Sequence, residues 1–360
     1  MFKPLYSISL DLASDLMRIE ALRQEIDGLP ITPKMLDSLR KTARLQATHY
    51  STMIEGNRLT QHQVQEVVLQ SIKIPDRERD EKEVLGYYVA LEWVLQGAQK
   101  KQLLTEDMIK QLHALVMGGG SEKVQPAPYR DGQNVIKDSK SGAIVYLPPE
   151  AHDVAHLMHD FSVWIEQSKE HGIPAPIRAA IAHYQFATIH PYWDGNGRVA
   201  RLLATLILHR NGYGLKGIYS LDEYYAIDLG AYYDALTIGP HNDYLGRADA
   251  DITSWIAYFC KGMVYSFERI KEQALRAHQS GQKDQAIFLR KLDIRQRMVM
   301  SLFAQKDEIS TQEVAHILGL QPRTARVLMQ KWVTIKFLEI AQKSKKSRTY
   351  ILGDRYRSSH

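Results

Sequence analysis

The sequence predicts a mainly α-helical protein: a helical bundle with one β-hairpin, an N-terminal helical region and a C-terminal winged-helix domain. Apolar residues recur at helical spacing along most of the 360-residue chain, and β-branched runs are confined to a few short stretches. The segment after residue 309 follows the order helix, turn, helix, hairpin, which is typical of winged helices. We therefore predict three domains, with a polar linker at Ala277 to Gln285, over residues 1–105, 106–277 and 285–360.

The bulk composition is that of a globular protein, with 44% hydrophobic and 24% charged residues. The single cysteine, Cys260, excludes an intrachain disulfide, and no apolar leader follows Met1, so we expect a cytoplasmic protein. No apolar run reaches the roughly 18 residues of a membrane span, so no membrane partner is expected. Residues 336–360 carry the whole net charge of +5, which suggests an anionic partner, although a solvated surface is the commoner reason for such a run.

The N-terminal region has the pattern of successive helices. Apolar residues keep helical spacing from Thr32 to Gln70 except at Glu55 to Asn57, where we predict a break. Thr60 has the side chain of an N-cap for the helix that follows the break. Two further helices are predicted from Glu83 to Gln96 and from Thr105 to the glycine run at 118–120.

Between Tyr129 and Pro149 the pattern changes from helical to strand-like. The runs Val135-Ile136 and Ile144–Tyr146 flank a polar turn at Asp138 to Gly142, which predicts a β-hairpin. An isolated hairpin is marginally stable, so this one must pack on the helices or serve a partner.

The stretch IHPYWDGNGRVAR, residues 189–201, joins two helices whose apolar faces predict central positions in the bundle. We expect one helix to end near Ile189 and the next to begin at Gly197 or Arg198. The first turn of a helix has unpaired N–H groups and the positive end of the helix dipole, where anions bind. Gly195 and Gly197 permit positive φ and a close approach of backbone to ligand.

The charged residues of this stretch predict a polyphosphate site. Arg198 and Arg201 are three positions apart on the first turn, so they share a face and can hold one extended anion. Asp194 would repel a bare phosphate but can bind Mg²⁺ between itself and the phosphate oxygens. His190 precedes the turn and can act as a general base. Each element taken alone is more often a simple turn, helix stop or solvent-facing arginine.

Taken together, these residues resemble the signature of the Fic family, His-Pro-Phe-x-Asp-Gly-Asn-Gly-Arg-x-x-Arg. Tyr192 stands in place of the phenylalanine, and the eight other fixed positions agree. The usual activity of the family is transfer of AMP from ATP to a protein hydroxyl. The resemblance therefore implies a protein adenylyltransferase with a Fic helical bundle, using ATP and Mg²⁺ and acting on target proteins or on itself.

The resemblance also implies a role for each matching residue. His190 would take the proton from a Ser, Thr or Tyr hydroxyl of the target as that hydroxyl attacks the α-phosphate. Asp194 would be the metal ligand, and Asn196 with the amides of Gly195 and Gly197 would form an anion hole. The residues expected to bind ATP are Glu55, His190, Gly195, Asn196, Gly197, Arg198, Val199, Ala200, Arg201 and Tyr232.

A second motif would oppose nucleotide binding. Arg198 and Arg201 are implied to hold the β- and γ-phosphates, whereas Ser51, Glu55 and Gly56 fit the inhibitory pattern [Ser/Thr]-x-x-x-Glu-[Gly/Asn] of some Fic proteins. In those relatives the glutamate pairs with the second arginine, here Arg201, and obstructs the γ-phosphate. The alternative is an ordinary helix C-terminus with Gly56 beyond the cap and Glu55 exposed.

Two further segments resemble parts of the family's site. The hairpin strand Ile144, Val145 and Tyr146 resembles the flap that aligns a target segment by β-augmentation, the alternative being a surface hairpin without a partner. Tyr232 and Tyr233 lie in a segment similar to the one near the nucleotide base, although a pair of tyrosines on a helix is also typical of core and rim packing.

The C-terminal pattern predicts a winged helix. A helix capped by Ser310 or Thr311 runs through Leu318, Gly319 makes the turn, and a second helix begins at Pro322 and runs through Lys331; strands follow at Leu338 to Ala341 and Thr349 to Leu352. Basic residues are available to a DNA or protein partner on the second helix and in the wing, namely Arg323, Arg326, Lys331 and Lys343 to Arg348.

Several alternatives stay open at the level of sequence. The protein can be a DNA-binding regulator whose Fic core senses nucleotide, rather than an enzyme. Within the enzymes, Fic relatives transfer UMP, phosphocholine or phosphate, and some remove AMP with the inhibitory glutamate, here Glu55, activating water. The target protein and the modified residue are undetermined, and a homodimer is also left open.

Overall fold

The computed structural model describes residues 2–29, 31–98, 103–137, 142–239, 241–280, 292–304, 306–341, 348–353 and 356. Over these residues the protein is mainly α-helical, as predicted. The chain forms two compact units, Met1–Arg23 with Thr42–Glu268 and Gln24–Lys41 with Arg269–His360. The first unit thus combines much of the predicted N-terminal region with the predicted core, and the division into three domains stays a prediction.

Among the described residues five helices precede the hairpin, of which the first was not predicted and the other four follow the predicted pattern. They are α1 (Leu10–Asp27), α2 (Pro33–Ile54), α3 (Gln61–Gln70), α4 (Glu78–Gly97) and α5 (Glu106–Met117). The predicted break at Glu55 to Asn57 separates α2 from α3, and Thr60 caps α3 in a capping box with Gln63. Thr105 caps α5 by accepting a hydrogen bond from the Met108 N–H.

The predicted hairpin is present as two short antiparallel strands, β1 (Ile136–Lys137) and β2 (Ile144–Tyr146). Val135 lies before β1 rather than in it, because its N–H donates to the Asn134 side chain at 2.8 Å instead of to a neighbouring strand. Most of the predicted turn, residues 138–141, lies outside the described residues.

The centre of the first unit is formed by α6 (Ala151–Glu170), α7 (Ala175–Ile189) and α8 (Asn196–Arg210). Helix α7 is buried at every position except Ala187, because it is surrounded by apolar side chains on all faces. The remaining helices of this part of the chain are α9 (Asp222–Ile227), α10 (Leu229–Leu236), α11 (Tyr244–Ala248) and α12 (Thr253–Ser280). Trp255 of α12 donates its indole N–H to the Ala180 carbonyl at 2.7 Å, which joins α12 to α7.

The predicted linker needs a correction at its start. Helix α12 continues through Ser280, so residues 277–280 are helical rather than extended, and residues 281–285 lie outside the described part of the chain. Between Thr253 and Ser280 the sequence contains one glycine, Gly262, and no proline. No local helix terminator therefore occurs before Gly281.

The second unit contains α13 (Ile294–Met300), β3 (Ile309–Ser310), α14 (Thr311–Ile317), α15 (Pro322–Thr334), β4 (Leu338–Ile340) and β5 (Thr349–Leu352). Its strands form an antiparallel sheet in the order β3-β5-β4. Ser310 caps α14, Gly319 turns the chain with a φ of 62°, and Pro322 opens α15, all as predicted. Sequence reasoning missed α13 and β3, and the basic wing at residues 343–347 lies outside the described residues.

Among the described residues, none of the helices combines the length and the apolar content that crossing a bilayer requires.

Candidate active site

The loop between α7 and α8 is shaped by two residues with positive φ. Helix α7 ends at Ile189, and His190 follows in the left-handed conformation with a φ of 52°. Gly195 precedes α8 with a φ of 81°, a conformation that a side chain would strain. Helix α8 begins at Asn196, one residue before the predicted start, so its first-turn amides face the loop.

Asn196 fixes the loop from within. Its side chain accepts a hydrogen bond from the Tyr192 N–H at 3.0 Å and donates one to the Tyr192 carbonyl at 2.8 Å. Asn196 is 2% exposed, so its amide group is committed to the loop. What it can offer an anion here is therefore its backbone N–H rather than its side chain.

Helix α5 packs against the loop between α7 and α8 through His113. The His113 ring stacks on Tyr192, with ring centroids 3.5 Å apart, and its Nε2 bonds the Asp194 carbonyl at 3.0 Å. Because a carbonyl can only accept, that nitrogen carries the proton. Burial lowers the pKa of His113 to about 4, so the ring is neutral at physiological pH. A side chain at Gly195 would meet Met117 at 2.9 Å, which is a second reason for glycine there.

His190 is oriented as a base. Its Nδ1 lies 3.2 Å from the Ala187 carbonyl, which requires a proton on Nδ1 and leaves the lone pair on Nε2. Burial lowers the pKa of His190, against the opposing effect of the Ala187 carbonyl, so the neutral ring is favoured near pH 7. The side chain can therefore accept a proton at Nε2.

Arg130 is a buried residue of this site that sequence reasoning missed. It is 2% exposed, and its guanidinium donates to three carbonyls, those of His190 at 3.0 Å, Gly132 at 2.9 Å and Pro149. Its backbone N–H also bonds the Pro191 carbonyl at 3.0 Å. Arg130 therefore connects the loop between α7 and α8 to both ends of the hairpin. No local sequence signal indicates this role.

Asp194 and Arg198 form an ion pair at the mouth of the site. Arg198 Nη2 lies 2.9 Å from Asp194 Oδ1, with the Arg198 side chain 2% exposed and that of Asp194 50% exposed. One Asp194 oxygen also accepts the Gly195 N–H at 2.5 Å. The described residues contain no cluster of three or more His, Cys, Asp or Glu that could hold a metal by itself.

Arg201 is held by the end of α2. Its Nε donates to the Ser51 hydroxyl and its Nη2 to the Ser51 carbonyl, each at 2.8 Å. Nη2 also lies 2.8 Å from Glu55 Oε1. Burial acts to lower the pKa of Arg201, but the nearby carboxylates, Glu55 first among them, outweigh it and leave the pKa above its ordinary value.

The Glu55 carboxylate lies directly over the first turn of α8. A Cβ atom placed on Gly197 would be 2.2 Å from Glu55 Oε1, so glycine is required for this approach. Gly56 follows with a φ of 93° and ends α2 as a helix-terminating glycine does. A helix C-terminus at Gly56 and a contact of Glu55 with Arg201 are thus compatible. Glu55 lies next to the glycine turn, and its carboxylate reaches the first turn of α8.

Asp222, which begins α9, is a second acid on Arg201 that the sequence did not reveal. Its Oδ1 lies 3.2 Å from Arg201 Nε, and its side chain is 5% exposed. The residue is about 20 positions from the signature and stands in no recognisable motif. Only the fold brings it to the arginine.

The remaining predicted ATP-binding residues differ in accessibility. Val199 and Ala200 are buried on α8, so they pack the helix against the core. Tyr232 is 2% exposed and its hydroxyl lies 3.0 Å from His183 Nε2, so its side chain is packed in the core, and its contact with ATP stays a prediction. Tyr233 is 46% exposed, and its hydroxyl donates to the Ile54 carbonyl at 3.3 Å. Of the two tyrosines, Tyr233 is therefore the accessible one.

The hairpin residues also separate into two groups. Ile144 and Val145 are 58% and 39% exposed, whereas Tyr146 is buried. The Tyr146 hydroxyl donates to the Thr188 carbonyl on α7 at 2.8 Å, and the Arg247 guanidinium lies 4.0 Å from its ring centroid. Tyr146 thus anchors the strand, and Ile144 and Val145 are its accessible apolar residues.

Solved structures with this fold are Fic proteins. One from Desulfovibrio desulfuricans superposes over 100% of both chains with a TM-score of 0.60 at 22% identity. A Fic domain containing signaling protein from Bacteroides thetaiotaomicron matches 73% of this chain and 96% of its own, with a TM-score of 0.61 at 23% identity. The helical bundle is therefore a Fic fold.

Sequence comparison identifies the domain within this class. Residues 103–208 match the Fic/DOC family, so this part of the chain is a Fic/DOC family domain. Proteins named protein adenylyltransferase Fic are similar over a longer stretch: 32% identical over 199 residues in Nematostella vectensis and 30% over 203 in Drosophila mojavensis. These matches cover 54% and 55% of this chain, which spans 44% and 39% of those relatives.

Proposed function

We propose that the first unit is a protein adenylyltransferase that transfers AMP from ATP to a Ser, Thr or Tyr hydroxyl of a target protein or of itself. The observation that carries this proposal is the position of the Glu55 carboxylate, an anion lying on the first turn of α8 and paired with Arg201. A phosphate group has the charge and the acceptor atoms to take the same place. The name of the similar relatives, protein adenylyltransferase, supports the same reaction.

In the proposed reaction His190 Nε2 removes the proton from the target hydroxyl. A bond forms between the hydroxyl oxygen and the α-phosphorus, the bond from that phosphorus to the bridging oxygen breaks, and pyrophosphate leaves. The first-turn amides of α8 and the two buried arginines, Arg198 and Arg201, stabilise the negative charge of the phosphates. Positioning and charge neutralisation thus supply most of the catalysis.

We further propose that Asp194 holds Mg²⁺ together with phosphate oxygens and water. The half-exposed carboxylate fits, because Mg²⁺ usually takes one or two protein carboxylates and keeps several waters. The ion would neutralise charge on the triphosphate and the departing pyrophosphate. Asp194 would exchange its Arg198 partner for the ion, which frees that arginine for a phosphate.

The hairpin edge is proposed to receive the target segment. Ile144 and Val145 offer exposed apolar side chains beside the catalytic loop, and the anchored Tyr146 keeps the strand in place. Main-chain pairing with an extended segment would bring a hydroxyl toward His190 while reading little sequence.

Glu55 is proposed to act as a brake. While it occupies Arg201 Nη2, a γ-phosphate cannot use the same N–H, and two anions cannot share the first turn of α8 without strong repulsion. Displacement of the α2 terminus would remove the competitor.

The first prediction tests this assignment with ATP labelled in the α-phosphate. Glu55→Gly is expected to raise self-labelling and labelling of lysate proteins at least tenfold, and His190→Ala in the same background should abolish it without weakening ATP binding. The matched control is Glu92→Gln, which alters a carboxylate of α4 outside the proposed site.

Binding without labelling by Glu55→Gly would contradict the assignment. Loss of label from AMP-modified proteins in the presence of the wild-type chain would instead favour AMP removal. Labelling from UTP or from γ-labelled ATP would favour transfer of UMP or of phosphate.

For the second unit we propose a winged helix with an anionic partner, duplex DNA. Arg323, Arg326 and Lys331 are all exposed on α15, the position of a recognition helix. We also propose a cytoplasmic location, since the single cysteine, Cys260, is buried and free. A homodimer stays a prediction.

A further inference from the structure

Arg201 contacts two acids that differ in how firmly they are held. Glu55 is on the last turn of α2, and its side chain is 29% exposed. Asp222 is 5% exposed and lies at the start of α9. A buried guanidinium needs a negative charge close to it. If nucleotide displaces the more exposed Glu55, Asp222 is the acid that stays beside Arg201.

Asp222 is fixed by its own neighbours. Its Oδ2 accepts from the Ser220 hydroxyl at 2.8 Å, and the Ser220 oxygen accepts the Asp222 N–H at 3.1 Å. The Tyr87 hydroxyl lies 3.5 Å from each carboxylate oxygen. Burial raises the pKa of Asp222, whereas Arg201 and the hydroxyls of Ser220 and Ser51 lower it. The contacts from Ser220 and Tyr87 come from outside α2, so they hold the carboxylate in place even if α2 moves.

The two acids also use different atoms of the guanidinium. Asp222 lies near Nε, together with the Ser51 hydroxyl, whereas Glu55 takes Nη2 on the side that faces Gly197. Departure of Glu55 therefore clears Nη2 for a phosphate and leaves the Nε side held. Without Asp222, the same departure would leave Arg201 with no acid to orient it.

We propose that Asp222 is a positioning residue for ATP, which keeps the Arg201 guanidinium aimed at the first turn of α8 after Glu55 has left. The proposal rests on the proposed function, because it concerns the arginine that would hold the triphosphate. It adds a residue outside the signature and the inhibitory motif to the nucleotide site. A carboxamide of the same shape keeps an oxygen beside Nε, whereas an alanine removes it.

The second prediction measures ATP binding by calorimetry in the full chain carrying Glu55→Gly, where the brake is absent. Asp222→Ala should raise the Kd for ATP about tenfold, the size expected for losing a buried ion pair that orients a ligand-binding group. Asp222→Asn should raise it less than about threefold, because its oxygen keeps Arg201 in place. Asp234→Ala, which removes an exposed carboxylate of α10, is the control and should leave the Kd unchanged.

Self-labelling with the same variants adds a second readout. Asp222→Ala should raise KM for ATP with kcat within about threefold, whereas general damage to the fold would lower kcat as well. If Asp222→Ala does not fold, as judged by its thermal melt, Ser220→Ala replaces it. That variant frees the Asp222 carboxylate and should raise the Kd about threefold.

An ATP affinity in Asp222→Ala, or in its Ser220→Ala substitute, equal to that of the Glu55→Gly parent would overturn the proposal. An equal loss of affinity in Asp222→Ala and Asp222→Asn would also overturn it. Failure of the proposed function has a different signature, since ATP would then bind with the expected dependence on Asp222 while no protein became labelled.

Discussion

His190 shows how one backbone conformation prepares a base. Its left-handed φ of 52° ends α7 and turns the ring so that Nδ1 meets the Ala187 carbonyl. Non-glycine residues adopt this region at a cost, which the surrounding hydrogen bonds offset. The strain is thus located at the residue proposed to perform the chemistry.

The third prediction concerns pH and belongs to this residue. The neutral ring is the active form, and burial lowers its pKa below the ordinary 6.5, so protonation begins only at more acidic pH. In Glu55→Gly at saturating ATP, the labelling rate should stay level from about pH 8 down to about 6.5 and fall below that. ATP binding by the His190→Ala, Glu55→Gly double variant serves as the control over the same range. A fall that began above pH 7 would contradict the lowered pKa.

At the residue scale, the sequence predicts which residues form the signature but not which contacts their side chains make. The amide group of Asn196 bonds Tyr192 on both sides, so its contribution to an anion site is limited to its backbone. Tyr232 is a core residue, because its hydroxyl is satisfied by His183 and its ring is surrounded by other aromatic rings. Spacing along the chain cannot distinguish these uses, since both residues have polar groups suited to a ligand.

At the scale of elements, the site depends on connections between segments far apart in sequence. The end of α2 contacts α8 through Ser51 and Glu55. The loop between α7 and α8 is joined to the hairpin through Arg130. The flanks of the hairpin and His190 are therefore connected through one guanidinium.

The fourth prediction tests this connection with Arg130→Lys in the Glu55→Gly background. The three carbonyls are bonded by three different nitrogens of the planar guanidinium, and a lysine ammonium has all its donors on one nitrogen, so it cannot reach the three positions together. The labelling rate should fall at least tenfold while the Kd for ATP stays within about threefold, and unfolding in urea should show a loss of about 2 kcal/mol. Arg18→Lys, at an exposed ion pair with Glu268, is the matched control. An unchanged rate would show that the loop holds its shape without Arg130.

At the scale of the whole molecule, the two compact units have different surface chemistry. The first buries Arg198 and Arg201 at the candidate nucleotide site, whereas the second exposes Arg323, Arg326 and Lys331 on α15.

The fifth prediction measures binding of the full chain to a 20-base-pair duplex by fluorescence anisotropy. Replacing Arg323 and Arg326 together by alanine should weaken binding at least tenfold and reduce its salt dependence, because each phosphate contact releases counterions. Replacing Lys169 and Lys261, two exposed lysines of the first unit, is the charge-matched control. Salt-independent binding, or equal loss in both variants, would argue for a protein partner instead.

Much of the helical pattern and the chemistry of the loop between α7 and α8 are predictable from the sequence alone. Helical periodicity, the caps at Thr60, Thr105 and Ser310, and the glycines around Asn196 are local properties that neighbouring residues decide. For the same reason the sequence alone predicts a candidate polyphosphate site at the signature.

Which residues from distant parts of the chain contact that loop depends on the tertiary structure. Arg130 and Asp222 carry no motif, and their roles arise because folding places one against the loop carbonyls and the other against a buried guanidinium. Whether a polar side chain serves the fold or a ligand depends on which groups surround it when it is desolvated. That environment is a property of packing between elements, which chain-local patterns do not encode.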